Sequence, residues 1–257
     1  MKYVSKIPDD SVNITKNNPL IEFLKMVTGI FVITAAVVFL ISVASELLSP
    51  YIPVKVEKKL GTLISAPMCA VKMEEEVKEL ETILEKFRPF FSPKDKRLDY
   101  RICVLPDDTF NAAALPGGTI VFYKGLLDAM EKEEERAFIL AHELGHFHYR
   151  DHNKRLGSAL IYVLMATVFG TFDSGAAQTI SVHTASFMFN RFSQTQEKKA
   201  DLFALQMVTL AYGKPDGAVK ATRKLKKFNK LNKFQHYFST HPHPENRLRY
   251  IKEAAGL

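Results

Sequence analysis

Between residues 141 and 147 the chain reads Ala-His-Glu-Leu-Gly-His-Phe, a His-Glu-x-x-His arrangement. On an α-helix His142 and His146 stand at i and i+4, one turn apart on the same face, so their imidazoles can grip one ion. Zinc suits such a pair, because it accepts nitrogen and carboxylate donors in tetrahedral geometry and in catalytic sites keeps one position open. Glu143 projects beside the histidines, where it can take a proton from zinc-activated water and pass it to a leaving amine. A catalytic zinc needs a third protein ligand. Downstream, Glu197-Lys198-Lys199-Ala200-Asp201 places two carboxylates at i and i+4. Glu197 is assigned to the metal. Asp201 is assigned to accept the spare N–H of a ligating histidine, His142, which fixes the tautomer and raises the basicity of the ring.

These residues need helices to carry them and a frame to hold the helices. Residues 131–152 open with acids that suit a helix N-terminus and turn apolar through Phe138, Ile139 and Leu140 into the histidines. Residues 71–88 put Val77, Leu80, Ile83, Leu84 and Phe87 at helical spacing, the mark of an amphipathic helix with one buried face. Alternation over residues 100–105 and the β-rich run TIVFY at 119–123, introduced by Pro116-Gly117-Gly118, predict two short strands. The pattern is α+β: a mostly helical domain with a small sheet. A second apolar run, 159–172, is too short to cross a bilayer and reads as a core helix, with contact with the membrane surface as the alternative. The basic stretch 214–233, with eight Lys/Arg against Asp216, reads as an amphipathic helix packed on the core with a solvated face.

Ahead of that domain, twenty residues from Met26 to Ser45 carry no charge, and at about 1.5 Å per residue they cover the roughly 30 Å of a hydrocarbon layer. The chain therefore divides into a polar segment (1–25), one transmembrane helix (26–45), a linker (46–70) and the site-bearing domain (71–257). Lys2, Lys6, Lys16 and Lys25 precede the span, and Lys55, Lys58 and Lys59 follow it. That one-charge margin leans toward an inside N-terminus, with the domain on the non-cytoplasmic side of the bilayer. The formal charge of +7 is concentrated late in the chain, and no nucleic-acid partner is expected. Cys69 and Cys103 are too few for a disulfide scaffold and lack a C-x-x-C spacing; they are either paired or free.

Four ordered blocks carry a family resemblance: Asn111 to Gly118 (NAAALPGG), His142 to His152 (HELGHFHYRDH), Ser193 to Asp201 (SQTQEKKAD), and Thr240-His241-Pro242 with Arg247. From about Gly61 onward the chain resembles the HtpX, Oma-type and CAAX-prenyl-endopeptidase family of zinc metallopeptidases, in the gluzincin group. It departs from the family pattern at Gln194, where an arginine is usual. The resemblance implies a zincin-like domain with one zinc per chain, acting on polypeptides. It also implies that strand 119–123 is the edge beside the active-site helix, shaped by Asn111, Gly117 and Gly118, to which an extended substrate adds as a strand. His241 and Arg247 are the candidates for stabilising the oxyanion. His241 has an alternative place as a fourth zinc ligand in a latent state. The expected function is a membrane-anchored endopeptidase cutting unfolded, mislocalised or membrane-associated proteins in quality control. The rival reading is a zinc-stabilised membrane chaperone or scaffold, for which an intact Glu143 would have no use.

Overall fold

A computed structural model describes residues 18–48, 51–66, 68–70, 73–152, 192–229, 241 and 246–257. The described residues fall into two units, divided between Ala44 and Ser45. The run 159–172, together with His183, His236 and His243, lies outside the described residues. In the first unit the apolar stretch forms helix α1 (Pro19–Leu48), longer at both ends than the expected 26–45. Its segment Pro19–Val37 is long and apolar enough to cross a membrane and has no buried residue, as a helix does that finds no protein core to pack against.

In the second unit the sheet comes from three short strands, β1 (Arg101–Leu105), β2 (Ala112–Leu115) and β3 (Thr119–Tyr123). Their order is β1-β3-β2, with β1 parallel and β2 antiparallel to β3. This corrects the expected placement of 119–123 as the edge strand: β3 is central and is paired on both sides. Among the described residues, β2 is the edge that meets the active-site helix. The run AAA-Leu was not recognisable as a strand, because alanine carries little β-propensity. It forms one because the turn Pro116–Gly118 folds it back on β3, with Gly117 (φ 83°) and Gly118 (φ 93°) in a backbone region open to glycine.

Strand pleating sends alternate side chains to opposite faces. Ile102, Val104, Ala112, Ala114, Ile120 and Phe122 enter the main core, while Cys103, Leu115 and Val121 form a smaller cluster on the other face. Met68 and Cys69 cover that second cluster, and Cys69 is disulfide-bonded to Cys103. On the core side lie α3 (Glu74–Phe87), which buries Leu80, Ile83, Leu84 and Phe87, and α5 (Glu133–His148). The short α4 (Lys124–Ala129) leads from β3 into α5. Every residue of α5 from Ala137 to Phe147 is buried, so the helix that bears the histidines runs through the middle of the unit.

Two further helices flank it, α6 (Gln194–Tyr212) and α7 (Asp216–Asn229), followed by the C-terminal α8 (Arg247–Ala254). α7 is the expected amphipathic helix over its described length, burying Ala218, Val219, Ala221 and Leu225. Residues 51–66, expected within a linker, instead hold α2 (Val54–Ser65), which packs on the Pro116–Gly118 turn. The contact is backbone to backbone: a Cβ at Gly61 would fall 1.9 Å from the Pro116 carbonyl oxygen. Only glycine permits that approach.

Candidate metal centre

The helical spacing of His142 and His146 places both rings on the same side of α5, and α6 supplies the opposing wall. Ser193 caps α6: its Oγ accepts from the Gln196 N–H at 3.3 Å, and the Gln196 side chain accepts from the Ser193 N–H at 2.8 Å. The first turn so formed carries Glu197, and the next carries Asp201, both fully buried against α5. The two helices can meet this closely because their crossing is made of Gly145 and Ala200. A Cβ at Gly145 would come within 2.9 Å of the Ala200 Cα.

The imidazole Nε2 atoms of His142 and His146 stand 3.3 Å apart. His142 Nε2 is 3.5 Å from Glu197 Oε2, and His146 Nε2 is 3.5 Å from Glu197 Oε1. Around a tetrahedral zinc with bonds of about 2.0–2.1 Å, neighbouring donors stand about 3.3 Å apart; the two imidazole nitrogens meet that spacing, and each comes near it to one of the two Glu197 oxygens. His241 joins it: its Nδ1 lies 3.3 Å from His142 Nε2 and 3.0 Å from Glu197 Oε1. One donor atom from each of the four residues falls within 4.8 Å of all the others.

The outer nitrogens are held as well. His142 Nδ1–H donates to Asp201 Oδ1 at 2.9 Å, and Asp201 in turn accepts from Arg247 and from the Tyr250 hydroxyl. His146 Nδ1–H donates to Asp151 Oδ2 at 3.2 Å, and Gln196 Nε2–H donates to the other Asp151 oxygen at 2.8 Å. With both Nδ1 atoms protonated and paired, both Nε2 lone pairs are free to face the centre. Phe192 stacks on His146 with centroids 3.6 Å apart and an 8° interplanar angle.

Charge follows the same plan. Burial works against ionising Glu197, but His241 and His142 beside it hold its carboxyl well below the usual range. Burial likewise opposes the Asp201 carboxylate, and Arg247 and His142 keep it ionised. Burial opposes a charged His142, yet Glu197 and Asp201 push its pKa up to about 9, whereas burial holds His241 below its ordinary value. The carboxylates thus favour a positive charge between them, which a proton or a metal ion can provide. Glu143 is fully buried beside the cluster. Among the described residues neither of its oxygens accepts a hydrogen bond, although His241 Nε2 stands 3.7 Å from Oε1, and Glu197 Oε2 likewise accepts none. Orphaned carboxylate oxygens at 0% exposure are costly, and their presence around a ring of nitrogen donors fits a metal and the water that it would order.

The remaining expected residues fall in different places. Arg247, expected at the oxyanion, has its Nη2 against Asp201 and 3.3 Å from His142 Nδ1, on the outer side of that ring. A buried guanidinium seeks a carboxylate, and among the described residues it meets Asp201. Asn111 is buried at the start of β2, with its Oδ1 accepting from the Ala112 N–H. Gly117 and Gly118 meet α2 and the Asp99 carbonyl, so packing accounts for both glycines. Asp151 and Gln196 were not singled out by sequence reasoning. Asp151 reaches back to His146 only because Arg150 takes a left-handed conformation (φ 57°), which nothing in the residue types announces.

Two buried helices, one carrying a His-Glu-x-x-His pair and the other a buried carboxylate facing it, against a small sheet with an edge strand, are the build of a metallopeptidase. The chain belongs to peptidase family M48, whose sequence description matches residues 74–255. It is 28% identical over 162 residues to the mitochondrial metalloendopeptidase OMA1 of Schizosaccharomyces pombe, covering 61% of this chain and 47% of that one. It is 27% identical over 161 residues to the metalloprotease LoiP of Escherichia coli, with 61% and 62% covered. With the beta-barrel assembly-enhancing protease of Yersinia pestis it shares 27% over 173 residues, 62% and 35% covered. The matched region thus spans less than two thirds of the length of each of these relatives.

Proposed function

We propose that this chain is a membrane-anchored, zinc-dependent endopeptidase that hydrolyses unfolded, mislocalised or membrane-associated polypeptides, with Glu143 as general base. What supports the reading is the cluster of metal-type donors from His142, His146 and Glu197 beside a buried Glu143 whose oxygens accept no hydrogen bond among the described residues. When bound, zinc supplies Lewis-acid polarisation of the scissile carbonyl and makes water more acidic. Glu143 accepts the proton of the attacking water as its oxygen bonds to the carbonyl carbon. It returns that proton to the amide nitrogen as the C–N bond breaks. Asp201 and Asp151 keep His142 and His146 in the tautomers that leave Nε2 available for zinc.

The edge strand β2 offers an extended polypeptide a line of main-chain groups beside α5, with Asn111 at its start. Recognition through the backbone suits substrates of varied sequence, as quality control requires. α1 supplies the anchor. The Cys69–Cys103 disulfide favours an oxidising compartment, and hence a catalytic unit on the non-cytoplasmic side.

A second role concerns His241, whose Nδ1 is the fourth donor of the cluster. In that position it takes the coordination site that water needs, and the resting protein is latent. The test compares full-length wild type, Glu143→Gln and His241→Ala in detergent for bound zinc and casein cleavage. Glu143→Gln should retain zinc and lose cleavage; equal cleavage would refute the general-base assignment, and zinc bound with no cleavage by any of the three would favour the scaffold. His241→Ala should cut faster than wild type if the residue blocks the metal, and slower if it supports the oxyanion.

A further inference from the structure

One buried carboxylate outside the family-matched residues 74–255 is fastened to the chain reversal that follows α5. Glu57, on α2, is 1% exposed. Its Oε1 accepts from His152 Nε2 at 2.6 Å and its Oε2 from Arg150 Nη2 at 3.3 Å. The same Arg150 nitrogen donates to the Ile52 carbonyl at 2.9 Å, and a Cβ at Gly117 would lie 3.2 Å from the Glu57 main-chain oxygen. Burial alone would push this carboxyl up, but His152 and Arg150 outweigh it and hold it below its usual range.

The two side chains that Glu57 holds are the immediate neighbours of Asp151, the residue that fixes His146. Arg150 is the one non-glycine among the described residues with a positive φ. That conformation turns the chain back after α5 and aims Asp151 at the His146 ring, and for arginine it persists only where surrounding contacts hold it. His152 reinforces the return, with its Nδ1 3.4 Å from the His146 carbonyl oxygen.

We propose that Glu57 is a positioning residue of the metal centre: from α2, it clamps Arg150 and His152 so that Asp151 orients His146. The segment that follows the membrane-type helix is then a working part of the site, and a protein cut back to residues 74–257 lacks it. The inference rests on the reading of His146 as a metal ligand.

The test uses full-length protein in detergent, stripped of metal with a chelator and titrated with zinc against a chromophoric competitor, with casein cleavage measured in parallel. Glu57→Gln should raise the zinc dissociation constant about 10- to 100-fold and lower kcat, while KM stays within about twofold. Because Glu57 acts through Asp151, the double variant Glu57→Gln/Asp151→Asn should bind zinc no more weakly than Asp151→Asn alone. Lys58→Ala, which removes an exposed contact to Asp99 on the same helix, should match wild type. Wild-type zinc affinity in Glu57→Gln, or additive losses in the double variant, would overturn the proposal. Should Glu57→Gln not fold, Arg150→Lys keeps the charge but loses the guanidinium fork, and unchanged zinc affinity there would overturn the proposal equally. Zinc bound without cleavage by both wild type and His241→Ala would sink the endopeptidase reading and leave the zinc titrations to decide this one.

Discussion

Gly145→Ala is a one-carbon test of how the centre is assembled. The added Cβ would lie 2.9 Å from the Ala200 Cα and 3.2 Å from both the Ala200 Cβ and its carbonyl oxygen. Carbon atoms in contact prefer about 3.5–4.0 Å, so the Cα approach falls short by roughly 0.6–1 Å. Both sides of the contact are helix backbone, which cannot swing aside, and α5 and α6 must part by several tenths of an ångström. His146 and Glu197 face each other across this crossing at 3.5 Å, and metal–ligand bonds tolerate about 0.2 Å. Overpacking costs about 1–3 kcal/mol, and replacing glycine by alanine within a helix returns about 1 kcal/mol. A net loss of up to about 2 kcal/mol corresponds to a Tm lower by up to about 8 °C in a domain of this size. Zinc affinity should fall about tenfold or more, more than stability alone would suggest. Ala200→Gly in the same chain removes one of the three contacts and should restore part of both losses. Scanning calorimetry and competitive zinc titration read the two quantities. A Gly145→Ala protein with wild-type zinc affinity would show that the crossing does not set the distance between His146 and Glu197.

Asp151→Ala should weaken zinc binding about 10- to 100-fold, and Gln196→Ala, which only holds Asp151, should do so less; equal or reversed effects in zinc titration would break that relay. Asp95 is buried, and although burial raises its pKa, hydrogen bonds from His148 and Ser92 bring the carboxyl below its usual value. A depressed folded pKa gives stability that is present above the unfolded value near 3.9 and lost as pH falls through the folded one. Asp95→Asn should therefore be less stable than wild type at pH 7, with a gap that closes below about pH 4 in urea melts; a constant gap would contradict the assignment. Cys69→Ser/Cys103→Ser opens a bridge across 34 residues and should cost about 3–4 kcal/mol in denaturant unfolding, without changing the zinc:protein ratio.

What could be read from residue order alone was what depends on local spacing. The i, i+4 pair His142/His146 is a property of one helix, and so is the Glu197/Asp201 pair, so each was legible without its neighbours. The apolar period of α3 and the β-rich run of β3 were legible for the same reason. β2 was hidden, because alanines become a strand only when a partner strand supplies the hydrogen bonds, and the order β1-β3-β2 decides which strand is the edge.

Joining the two helical pairs into one centre needed three dimensions. The sequence by itself determined which side chains can bind a metal and accept a proton. Tertiary structure alone decided their distances, through the Gly145–Ala200 crossing, and their second partners, through chain reversals such as the one at Arg150. It also put Arg247 behind His142, on Asp201, because which side of an imidazole a cation reaches depends on the path of another helix. Helical periodicity is local and can be written in order along the chain. The roughly 3.3 Å edges of a zinc site join residues up to about a hundred positions apart, as from His142 to His241, and only packing can set them.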